Sequence, residues 1–191
     1  MVDTVVPNKV RFGLKDVVVI PVATDDGSAL TYGTGFSQPG AVSLSLNANG
    51  DKFTKFADDG TLVSIDNNQG YAGNITITAI VDAFREQVLG EVVDANGGHL
   101  EKADQQGHAF ALAFKISGDK HNNRYLLYNV SATRPDIASA TKTASIDSQD
   151  QELPITVAPD YDQKVKYDMP EDKTTTMLAW ATAQLTAPVE P

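Results

Sequence analysis

Residues 42–46 alternate Val42, Leu44 and Leu46 with Ser43 and Ser45, a period of two that marks a strand with one wet face. The same signature recurs at 73–80, where Ile75, Ile77 and Ala79 alternate with Asn74, Thr76 and Thr78. It returns at 108–117, with Phe110, Leu112 and Phe114 on one side, and at 123–132, where Tyr125, Leu127 and Asn129 oppose Leu126, Tyr128 and Val130. A β-branched run predicts a further strand over 16–23, and weaker patterns predict strands over 30–36, 51–57 (anchored on Phe53), 61–66 and 152–158. Gly33 and Gly35 interrupt the second of these, and Pro154 places the last toward a sheet edge because proline cannot donate to a ladder. Asp26-Gly27, Asn49-Gly50 and Asp59-Gly60 supply hairpin turn chemistry, so the region from Gly40 to Ile80 reads as an antiparallel meander.

Two segments break the period of two. Asp82 is placed to cap a short helix over 83–89, with Phe84, Val88 and Leu89 as its core-facing residues and Gly90 as its stop. The stretch 174–185 predicts a C-terminal helix capped by Thr174, with Leu178, Ala181 and Leu185 on one face. Residues 94–98 read as a turn and 160–173 as a charged, polar connection. The predicted fold is mainly β: a sandwich of antiparallel sheets with one flanking short helix and a second helix at the C-terminus. One domain spans 1–191, with an N-terminal arm over 1–14, a mobile loop over 135–151 and a flexible C-terminus over 186–191.

Composition narrows the function classes. A chain of 191 residues can bury enough surface to need no staple, and its lack of cysteine removes disulfides and cysteine-based zinc sites. Met1–Pro7 shows no basic segment followed by an apolar core, and the apolar run 17–23 is too short to span a bilayer, so a soluble, non-exported protein is expected, without membrane partners. The net charge of −10 opposes contact with phosphates, which favours repulsion from DNA over grip.

The chemistry-bearing residues form no recognisable site. His99, His108 and His121 share no metal-ligand spacing. Asp94-Ala95-Asn96-Gly97-Gly98 starts like a calcium loop, but Gly98 and Gln105 stand where ligands are required. Asp25-Asp26 and Asp58-Asp59 are solvated turn acids that precede glycine, and no serine lies in a nucleophile elbow. The chain is therefore expected to be no enzyme and to use no cofactor or metal.

An ordered series of short stretches resembles the major tail proteins of siphophages from Gram-positive hosts, the phi13-type group. These stretches are Asn8-Lys9-Val10-Arg11-Phe12-Gly13-Leu14-Lys15, Pro39-Gly40-Ala41-Val42-Ser43-Leu44-Ser45-Leu46 and Asn67-Asn68-Gln69-Gly70-Tyr71. They continue with Phe84-Arg85, Val88-Leu89-Gly90-Glu91, Asp94-Ala95-Asn96-Gly97 and Tyr125-Leu126-Leu127-Tyr128-Asn129-Val130-Ser131-Ala132-Thr133-Arg134-Pro135. The resemblance runs over most of the chain up to about Arg134 and loosens beyond it.

The resemblance implies a fold shared with phage tail tubes and with the tube of type VI secretion. It implies homo-hexameric rings stacked into a hollow tail tube, assembled in the host cytoplasm and carried in the virion, through which DNA passes in transit at ejection. The other expected partners are the tape measure, the tail terminator and the baseplate initiator. On this reading the turn region 47–60 reaches to the next ring, with Asn47, Asn49, Asp51, Lys52, Lys55, Asp58 and Asp59 as contact candidates. Surplus acid lining the lumen would keep DNA sliding. The alternatives are another virion or secretion-tube β-sandwich component, or a soluble ligand-binding β-sandwich module. The latter should cluster exposed aromatics, whereas aromatics make up 7% of residues and Trp180 is the lone tryptophan.

Overall fold

The computed structural model describes residues 12–116, 123–139, 141, 148–171 and 174–186. Most of the predicted N-terminal arm, the link 118–122, positions 140 and 142–147 of the predicted loop, and the C-terminus from 187 lie outside the described residues.

The strands in chain order are β1 (Leu14–Asp25), β2 (Leu30–Tyr32), β3 (Phe36–Ser37), β4 (Ala41–Ala48), β5 (Phe53–Ala57), β6 (Gly60–Ile65) and β7 (Tyr71–Ile77). Helix α1 (Asp82–Gln87) follows, then β8 (Val92–Val93), β9 (His99–Leu100), β10 (Phe110–Ile116), β11 (Arg124–Ala132), β12 (Gln151–Val157), β13 (Lys166–Met169) and helix α2 (Met177–Thr186). The main sheet runs β2-β1-β10-β11-β12-β7-β4, with β3 added to β1 and β13 added to β11. Its pairings are antiparallel, and the fold is mainly β, as the alternation of residues predicts.

The sheet curls so that its two halves share one core. Val17, Val19, Phe110, Leu112, Phe114 and Leu127 from β1, β10 and β11 meet Ile75, Ile77, Leu153, Ile155 and Val157 from β7 and β12. Phe84, Val88 and Leu89 are buried in this same cluster, where Phe84 packs edge-on to Phe110 at 5.7 Å. Alternate residues of β1, β10 and β11 face the other way: Val18, Ile20, Ala111, Ala113, Leu126 and Tyr128 form a second core under Met177, Trp180 and Ala181 of α2. The central strands are thus buried on both faces, which explains why 110–114 and 125–128 are apolar almost throughout.

Several expectations are corrected. Residues 40–80 do not form a meander, because β4 pairs directly with β7 while β5 and β6 pair only with each other. The predicted strand 30–36 splits at Gly33–Gly35: the chain packs so tightly there that a β-carbon on Gly35 would lie 2.6 Å from both Ile20 and Leu178. Pro154 is not in an edge strand, since β12 lies between β11 and β7. It is tolerated because its carbonyl accepts from Thr133 N at 3.0 Å, so its nitrogen points to the same side, where the β11 ladder has just ended at Ala132–Ile155.

The cap residues also shift. Val81, not Asp82, precedes the first turn of α1, and it makes no side-chain cap. Asp82 is instead the first helical residue, and its carboxylate lies beside His99. Thr176, not Thr174, caps α2, accepting from Ala179 N at 3.3 Å through Oγ1. The buried face of α2 is centred on Met177, Trp180 and Ala181, with Leu178 and Leu185 at its margin. Within the charged stretch 160–173, Lys166–Met169 pairs with β11 from Leu127 to Arg124. Its Tyr167 and Met169 cover the second core while Lys166 and Asp168 pair with each other at 3.3 Å.

Candidate assembly surface

The β5–β6 hairpin stands off the body as a separate two-stranded ribbon. At its root, Asn49 N donates to Gly70 O at 2.9 Å and Gln69 N donates to Asn49 O at 2.9 Å, closing the β4–β7 ladder. Gly50 then turns the chain outward at φ 135°, and a β-carbon there would lie 1.7 Å from Asn67 O, so only glycine fits. The ribbon tip is a two-residue turn at Asp58 and Asp59, with φ of 50° and 60°, between the paired residues Ala57 and Gly60. The turn therefore sits one residue earlier than Asp59-Gly60 predicts, and it has the left-handed geometry that usually selects Asn-Gly.

Side chains explain why the ribbon is unusual. Phe53 pairs with Ile65 and Lys55 with Val63, so these four share one face. Thr54–Ser64 and Phe56–Thr61 lie on the opposite face, and Leu62 is the unmatched residue of a bulge between them. Both faces meet solvent: Phe53 is 58% exposed, Phe56 71%, Leu62 62% and Ile65 56%. A two-stranded ribbon is marginally stable alone, and this one buries almost nothing against its own body.

The predicted contact residues divide between root and ribbon. Asn47 is in β4 opposite Ala72, and Asn49 is in the root, so both belong to the body. Asp51 and Lys52 begin the ribbon, where Lys52 lies 3.5 Å from Asp66. Lys55 projects from β5, and Asp58 and Asp59 form the tip. The contact candidates chosen from the sequence are all polar, whereas large apolar residues stand on both faces of the ribbon. The signal was present in Leu62-Val63, adjacent apolar residues that no strand with a single wet face accommodates.

Two other polar clusters occur in the body. Arg124, only 2% exposed, lies over Trp180 at 5.6 Å and donates to Thr175 O at 2.6 Å and Thr175 Oγ1 at 2.9 Å. Glu171 joins it to Lys115 at 2.7 Å, so the cluster ties the approach to α2 onto β10 and β11. Midway along β11, burial pushes the Tyr128 hydroxyl up to about 12, helped by the nearby Asp160 carboxylate, and raises Tyr32 as well. These groups pack the fold; none is arranged as a nucleophile with its base.

Two surface depressions hold about 380 Å³ each, one bounded by Glu91, Glu101, Lys102, Gln105 and Arg134, the other by Asp16, Ser37 and the start of α2. Among the described residues no three His, Asp or Glu side chains are arranged to hold a metal ion. No described helix is long and apolar enough to cross a membrane. Compared with known proteins, the sequence matches no family profile and no curated protein.

Proposed function

We propose that this chain is a structural subunit that polymerises with itself, as the tail-tube protein of a long-tailed phage. The observation that carries the reading is the β5–β6 ribbon, which displays Phe53, Phe56, Leu62, Val63 and Ile65 to solvent on two faces. A soluble monomer gains nothing from such an extension, whereas a neighbouring copy that covers it gains apolar burial at every repeat. The ordered stretches that resemble phi13-type tail proteins support the same reading, and they include Asn67–Tyr71, the return of the ribbon into the body.

In this reading copies close into hexameric rings, and each ribbon reaches the adjacent ring. Stacked rings then form the conduit for DNA, and the excess of acid over base keeps phosphates from adhering where acids face the lumen. The tape measure, terminator and baseplate initiator complete the set of partners, and the virion tail is the place of action.

Negative-stain microscopy of the purified protein, with and without the baseplate initiator of the same virion, tests the assignment. Rings or tubes of uniform diameter are expected, at least when the initiator is present. Dispersed monomers under both conditions would contradict it.

A further inference from the structure

Away from the ribbon, a second group of neighbouring apolar side chains meets solvent on the small β8–β9 hairpin. Val92 pairs with Leu100, so the two share a face, and Val93 stands beside them; all three are exposed. The hairpin is held in place. Glu91 N donates to Arg85 O at 2.9 Å, joining its start to α1. The Asp94 carboxylate accepts from the amides of Asn96 and Gly98, both at 2.8 Å, closing its turn.

The ribbon and this hairpin belong to opposite ends of one ladder. β4 and β7 are paired from Ala41–Ile77 to Ala48–Tyr71, a length of about 20 Å. The ribbon leaves at the Ala48–Tyr71 end, whereas β7 runs beyond Ile77 into α1 and from there into β8. Glu101, next to Leu100, pairs with Arg134, which lies past Ala132 on the side of β12 that meets Ile77. The two apolar surfaces do not cover each other within one copy, but a second copy displaced along the strands brings them together.

Charge matches as well. At the hairpin end Glu91 is paired with Arg85 and Glu101 with Arg134, and Asp104 adds an exposed acid. Lys102, two residues after Leu100, is in no ion pair among the described residues. The ribbon tip carries the reverse sign, since Asp58 and Asp59 likewise have no cationic partner among the described residues.

We propose that the β8–β9 hairpin is the receiver for the ribbon of a second copy. Phe56 and Leu62, the most exposed apolar residues of the ribbon, seat against Val92 and Leu100, and the tip acids reach Lys102. The inference rests on the reading of the chain as a self-polymerising subunit and names the surface that its ribbon meets. Donor and receiver are different surfaces of one chain, so the contact repeats along the strand direction instead of closing a dimer. One contact of this size is weak, and it lasts when every copy of a ring makes it at once.

Cross-linking with a short bis-maleimide tests the pairing. The chain has no cysteine, so Thr61→Cys marks the ribbon and Ala103→Cys the receiver, with the apolar and charged groups left intact. Under conditions in which the parent polymerises, an equal mixture of the two variants should give cross-linked dimers at about tenfold the yield of either alone. Lys102→Glu should raise the concentration needed for polymerisation about tenfold in the parent. In a chain carrying Asp58→Asn and Asp59→Asn, which suit the left-handed turn, it should raise that concentration less than about twofold. Thr61→Cys cross-linking to itself as well as the mixture does would indicate ribbon-to-ribbon contact. That result, or particles that form without cross-links in the mixture, would overturn the receiver and leave self-assembly standing. A parent that forms no polymer even with the initiator would remove the reading and this inference together.

Discussion

Replacing Phe53, Phe56, Leu62 and Ile65 together by serine is expected to abolish polymerisation while leaving the fold's stability within about 1 kcal/mol of the parent. The two effects separate because the ribbon pairs only with itself and these side chains are more than half exposed. They contribute little to the body's core but would contribute much to a contact between copies. Covering four such side chains is worth on the order of 5 kcal/mol per ribbon before the costs of association, repeated at every subunit of a ring. Deleting residues 51–66 and joining the root by a short glycine-rich turn should act in the same way, since Asn49, Gln69 and Gly70 close the β4–β7 ladder without the ribbon. Sedimentation velocity measures the first effect and thermal unfolding the second. Tubes of normal length from the serine variant would remove the ribbon from the assembly account.

Phe84→Ala should have the opposite profile and cost about 3–5 kcal/mol of stability. Phe84 is 2% exposed and contacts Phe110 edge to face, with the ring planes at 72°. It carries α1 into the core shared by both halves of the sheet, beside Val88 and Leu89. Removing the ring leaves a cavity that a closed β-lined core cannot collapse to fill, and it frees the segment that positions Asp82 and Glu91 around His99. Urea denaturation should show a lower midpoint with a similar slope. A loss below about 1 kcal/mol would mean that α1 lies on the surface rather than within the core.

These outcomes depend on features of unequal legibility. Strands such as 41–48 and 71–77 were readable because one face is wet and side-chain alternation is a local property. The partner of each strand was not. Asn49-Gly50 is strong hairpin chemistry, yet Gly50 serves to turn the ribbon away from the sheet, and β4 pairs with β7 across the insertion. Pairing between strands so separated depends on which faces the core needs to cover, and turn residues carry no record of that. Pro154 was misplaced for the same reason, because its harmlessness depends on where β11 ends.

Local composition misled in other places. Lys166–Met169 is a strand whose two outward residues are charged, so the segment looked like a polar connection. Trp180, the lone tryptophan, is 4% exposed and directs its indole N–H at Met169 Sδ, 2.9 Å away, a place that its position in the sequence does not announce. His99 acquires its carboxylate neighbours from positions 82 and 91, at spacings that match no metal motif, so only the fold brings them together. The candidate contact residues chosen from sequence were polar; the large apolar groups at 56, 62, 63 and 65 interleave with them on the same ribbon.

The central claim, that copies of this chain cover one another's ribbons, can be read at a single engineered thiol. The natural sequence contains no cysteine, so Phe56→Cys provides a unique reporter at a position 71% exposed in the monomer. Maleimide labelling should be fast in the dispersed protein and at least tenfold slower in assembled particles, with a cysteine at the exposed Tyr161 as the reference position. Equal labelling rates at position 56 in dispersed and assembled protein would contradict the account.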